Sequence, residues 1–116
     1  MVNVHDYAHS LARALRDSPE HKALATARQR VKGNATAEQM IKDYHNKQLE
    51  MQAEVLQGKE PSQAQQEALQ RLLTIIQGSA DVRDYLQAEA RLGTLLNDIY
   101  KILGEAVELD LTPGDK

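Results

Sequence analysis

The chain has 116 residues, enough for one hydrophobic core and too few for two. It has no cysteine, which excludes disulfides, thiolate metal sites, iron–sulfur ligation and a cysteine nucleophile. Its 14 Lys and Arg against 17 Asp and Glu leave a net charge of −3, which supplies no long-range attraction to nucleic acid or to anionic lipid.

Ala, Leu, Gln, Glu, Lys and Arg dominate, Val and Thr are sparse and only three Pro occur, a composition of helices rather than sheets. With four Tyr, no Phe, no Trp and fifteen Ala, the core must be aliphatic and its helices closely packed. The expected class is all-α: an antiparallel helical hairpin or bundle of about five helices in one domain over residues 1–116, with a frayed tail from about residue 109. No apolar run approaches the roughly 18 residues needed to cross a bilayer. His5, Asp6, His9 and Arg13 interrupt the N-terminal stretch, so it does not read as a signal peptide and the expected location is the cytoplasm.

Val4, Tyr7, Ala8, Leu11 and Leu15 recur at helical spacing and predict a first helix from about Val4 to Arg16. Ser18 as cap, Pro19 in the first position and Glu20 in the first turn open a second helix that runs to about Val31. Gly33 ends it. Thr36-Ala37-Glu38-Gln39 reads as a capping box, so a third helix is expected from near Ala37 along a stripe of Ala37, Ile41, Tyr44, Gln48, Met51 and Val55. Gly58 stops that helix, and Ser62-Gln63-Ala64-Gln65 is a second capping box. The third and fourth helices should therefore form an antiparallel hairpin, with Leu69, Leu72, Leu73 and Ile76 on the buried face of the fourth.

Gly78-Ser79-Ala80-Asp81 breaks or kinks the chain before its most regular element, which runs to about Glu108. There Val82, Tyr85, Glu89, Leu92, Leu96, Ile99 and Leu103 alternate by three and four, while Leu86, Gly93 and Tyr100 form a second line every seven residues. So wide an apolar arc implies more than one neighbour, and Gly93 leaves room for a partner to come close. A small domain can hardly cover both lines from within, so a homodimer that completes a bundle is expected. Tyr85, Glu89, Leu92, Gly93, Leu96, Ile99, Tyr100 and Leu103 are its candidate interface.

No residue pattern supports catalysis, a cofactor or a metal. His5 and His9 stand four apart with Asp6 between them, but a closed zinc site needs about four ligands, and surface histidines are the better account. A carboxylate-bridged di-metal bundle needs Glu-x-x-His on two helices. Asp6-x-x-His9 is the nearest approach. Glu105 and Glu108 read as a solvated face near a helix end. Glu89 interrupts an apolar stripe, so its carboxylate must reach water or meet an Arg or Lys of another helix that sets register. Arg28, Arg30 and Lys32 suit the negative end of the second helix better than they suit RNA, because no aromatic side chain sits beside them for stacking.

Two segments carry a resemblance to a known family: Tyr7-Ala8-x-x-Leu11-Ala12-x-Ala14-Leu15-x-x-Ser18-x-Glu20, and Tyr85-Leu86-Gln87-Ala88-Glu89-x-x-Leu92-x-x-Leu95-Leu96-x-x-Ile99. With the Gln-rich hairpin between them, they resemble the YlbF/YmcA family, most closely its YheA-like branch. The resemblance implies a cytoplasmic helical protein of Firmicute-type bacteria that forms dimers or higher oligomers. Better-known members are non-enzymatic regulators of competence, sporulation, biofilm formation and mRNA processing. Iron–sulfur association in the family relies on cysteines, which this chain lacks. The resemblance offers no catalytic residue to carry over; it marks Ala88, Glu89, Leu92, Leu96 and Ile99 as structural or interface positions.

Two readings follow: a homo-oligomeric protein-interaction module of regulatory or adaptor type, or a small-ligand or metal-binding bundle that uses His5 and His9 or a cavity beside Gly93. In the first, the partner is a second copy or another regulatory protein, with no direct nucleic-acid or membrane contact.

Overall fold

The computed structural model describes residues 3–111 and contains five helices: α1 (Val4–Arg16), α2 (Pro19–Val31), α3 (Ala35–Leu56), α4 (Gln63–Gln77) and α5 (Ala80–Val107). The class is all-α with a long C-terminal helix, and the described residues contain no strand.

The boundaries follow from capping chemistry. Asn3 caps α1 by accepting from the His5 N–H at 2.9 Å. The Ser18 hydroxyl donates to the Leu15 carbonyl at 2.6 Å and accepts from the His21 N–H at 3.1 Å, so one side chain closes α1 and opens α2. At the start of α3 the expected capping box at Thr36 does not form. Gly33, at φ +82, turns the chain early and leaves Asn34 extended, and the Asn34 side chain accepts from the Ala37 N–H at 3.1 Å. Asn is at least as good a cap as Thr, so α3 begins two residues before the predicted Ala37. Gln39, which would have closed the expected box, donates instead to Asp43 at 2.8 Å, and Glu38 accepts from the Gly33 N–H at 3.1 Å. The box at Ser62 and Gln65 is present as predicted. Ser79 caps α5 after Gly78, so α4 and α5 are separate helices.

Two apolar clusters hold the helices together. Val31, Ala37, Ile41, Ile76 and Val82 bring α2, α3, α4 and α5 to one hub, where Val82 is completely buried. Leu24, Ala27 and Ala88 form a second cluster along the α2–α5 contact, and Tyr85 touches both clusters. Val31 clusters with Val82 and Leu24 with Ala88, so α2 runs antiparallel to α5. The 13 residues of α2 reach about 20 Å, whereas the 28 of α5 reach about 42 Å, so α2 covers about half of the longer helix.

Other expected core positions are less enclosed. On α4 only Ile76 is buried, with Leu69, Leu72 and Leu73 half-exposed, and α1 buries no residue at all. After Val107, Glu108 takes a left-handed backbone (φ 58) and the Leu109 N–H returns to the Gly104 carbonyl at 2.9 Å. Residues 109–111 therefore fold back over Gly104 instead of fraying from residue 109. The expected fraying of Thr112 to Lys116 lies outside the described residues.

Candidate functional site

The C-terminal half of α5 extends past the reach of α2, and its apolar residues stand in the open. Ile102 is 67% exposed, Val107 58% and Leu103 44%, while Leu96 and Ile99 are half-buried. The apolar line of α1 is similarly bare, with Val4 at 77% and Tyr7 at 62%. Leu49, Val55 and Leu56, toward the end of α3, are exposed too.

Of the predicted interface residues, Leu92 and Tyr85 pack against the α2–α5 cluster and so serve the chain's own core. Glu89 is taken up by His45 of α3: His45 Nε2 and Glu89 Oε1 are 2.6 Å apart, and each side chain is 36% exposed. Glu89 thus keeps access to water, one of the two expected outcomes, and also meets another helix, where the partner is a His rather than the expected Arg or Lys. Helix α3 presents an imidazole there because His45 follows Ile41 by four residues, on the side of α3 that faces α5. That spacing was the available signal, and the apolar stripe through Tyr44 hid it. Gly93, Leu96, Ile99, Tyr100 and Leu103 lie beyond this contact, toward the free end of α5.

The pair sits beside a cleft of about 820 Å³ lined by Tyr44, Leu49 and Met51 of α3 and by Leu69 and Leu73 of α4. Of the cations at the end of α2, Arg30 reaches Asp84 of α5 at 3.5 Å, with both side chains more than half exposed. His5, Asp6 and His9 lie on the exposed α1. Among the described residues no group of three or more His, Cys, Asp and Glu is placed to hold a metal ion. No described helix is long and apolar enough to cross a membrane.

The overall shape agrees with the bare faces. The molecule is long and flat, measuring 56 × 38 × 16 Å. Its radius of gyration is 17.3 Å where about 13 Å is usual for a compact domain of this length. Its accessible surface is 8692 Å². A compact monomer of this mass exposes about 6,300 Å², so roughly 2,400 Å² is in excess.

The fold and its surface define a thin helical protein whose polar groups assemble no recognisable chemical centre among the described residues and whose apolar stripes are partly unpartnered. The family model for "Control of competence regulator ComK, YlbF/YmcA" matches residues 4–108, and the chain belongs to that family. It is 58% identical to a UPF0342 protein of Symbiobacterium thermophilum, over 93% of this chain and 96% of that protein. It is also similar to UPF0342 proteins of Caldicellulosiruptor saccharolyticus (39% identical, 94% and 91% covered) and Bacillus cytotoxicus (31%, 91% and 91%).

Proposed function

We propose that this chain is a non-enzymatic helical interaction module of the cytoplasm that acts as a homodimer or higher oligomer in a regulatory or adaptor role. The observation that carries this reading is the bare apolar face on the outer half of α5, in a chain with roughly 2,400 Å² of surface beyond that of a compact monomer. An obligate homodimer interface hides about 2,000–5,000 Å² in total, so two copies have enough surplus to form one. The behaviour of α1 supports the same reading. A helix of 13 residues is marginal alone in water, and α1 contributes nothing to either core cluster, so it needs a surface to lie against.

The family's name ties its members to control of competence. The process served by this chain is then that regulation or the related control of sporulation, biofilm formation or mRNA processing. A regulatory protein is the expected partner beyond the second copy, because a net charge of −3 favours neither nucleic acid nor membrane.

Sedimentation analysis of the wild type and of Leu96→Asp and Ile99→Asp tests the reading. The wild type should sediment as a dimer or larger, and both variants as helical monomers by circular dichroism. Full oligomer in both variants would remove this face from the assembly. Affinity capture with an Ile99→Asp control then asks which regulator, if any, depends on it.

A further inference from the structure

We infer that α5 crosses the α5 of a second copy at Gly93, the two helices approaching closely where neither has a side chain; this rests on the self-association proposed above. Glycine is among the poorest residues for a helix interior, and Gly93 lies in the middle of the 28-residue α5. The other described glycines each have a reason within the chain. Gly33 and Gly58 have positive φ, +82 and +76, where side chains are strained. A Cβ on Gly78 would crowd the Ile75 carbonyl oxygen at 3.3 Å, and one on Gly104 would collide with the Leu109 carbonyl oxygen. Gly93 has an ordinary helical backbone, and a Cβ built on it meets nothing within 4 Å. Nothing in its own chain requires the missing side chain.

The residues around Gly93 show which face is left free. Leu86, one heptad earlier, packs on the hub, and Glu89 meets His45 of α3. Beyond Glu89 the same side of α5 carries Gly93, Leu96 and Tyr100, and Tyr100 is 37% exposed. A helix laid across this face meets apolar side chains at three and seven residues from a point where the backbone itself can be touched. Small residues at a crossing let helix axes come nearer than the usual 8–10 Å. A second copy is the occupant that fits, because a two-fold axis sets the same patch against itself and brings a glycine to each side of the contact. The surplus surface of each copy is also of the size such a dimer hides.

The test combines sedimentation equilibrium and circular dichroism of the wild type, Gly93→Ala and Gly93→Leu with oxidative cross-linking of Gly93→Cys. Alanine is the better helix former, so it would raise thermal stability if Gly93 merely faced solvent. At a crossing it should instead weaken dimerisation at least about tenfold. Gly93→Leu should be a helical monomer. In this cysteine-free chain Gly93→Cys should give a disulfide-linked dimer, which requires Cα atoms within roughly 4.4–6.8 Å. A wild-type oligomer with unchanged affinity in Gly93→Leu overturns the crossing and leaves self-association standing. A wild type that is monomeric at every concentration overturns both. If Gly93→Leu loses its helical signal, Gly93→Ala decides, and a dimer affinity unchanged or raised in that variant overturns the inference.

Discussion

Glu89 and His45 are in hydrogen-bonding contact at 2.6 Å, yet each side chain keeps 36% of its exposure, and water limits what the contact contributes. Exposed ion pairs are worth about 0.2–1 kcal/mol, and a double-mutant cycle on Glu89→Ala and His45→Ala should return a coupling in that range from denaturant unfolding. A coupling above about 2 kcal/mol would mean that the pair is dried by something that covers the cleft. The alternation of Tyr85, Glu89 and Leu92 made the need for either water or a polar partner legible from the sequence. The partner's identity was not, because His45 lies 44 residues away and meets Glu89 only once the hub has set α3 on α5. Thr36 and Asn34 differ in a similar way. The sequence places the cap at Thr36, and the backbone turn at Gly33 moves it to Asn34.

At the scale of elements, the helices of this chain divide by what they are packed against. Ile76 of α4 is 5% exposed in the hub that joins four helices, and Ile102 of α5 is 67% exposed. The same substitution should therefore have very unequal consequences. Ile76→Ala should cost about 2–5 kcal/mol in urea unfolding, as in a well-packed core. Ile102→Ala should change the stability of the monomer by less than about 0.5 kcal/mol, as at an ordinary surface site. Near-equal costs measured on dissociated protein would show the two faces to be equally buried. The order of the helices was legible, because the caps at Ser18 and Ser62 and the stops at Gly33 and Gly58 are local signals; that α4 and α5 are separate was not, because Gly78-Ser79 reads equally as a break or a kink. Which stripe each helix would bury was not. Leu72 and Leu103 obey the same periodicity, and three- and four-residue spacing records an apolar face without recording whose surface covers it.

The whole molecule is where the bare faces acquire a measurable consequence. At 16 Å thick, with α1 outside both core clusters, the isolated chain has little protection for its outer apolar residues, so its stability should depend on how much of it is assembled. Association that favours the folded state makes the melting temperature depend on protein concentration. For a folded dimer in equilibrium with unfolded chains, each tenfold rise in concentration adds about 1.4 kcal/mol to stability. With about 2–4 °C per kcal/mol for an assembly of this combined size, the midpoint should rise by roughly 3–6 °C per decade. Ile99→Asp, by removing the association, should flatten that dependence while keeping a helical folded state. A wild-type midpoint independent of concentration over two decades in dilute solution would mean that the chain folds without a partner copy, and the exposed half of α5 would then have to be covered by a different protein.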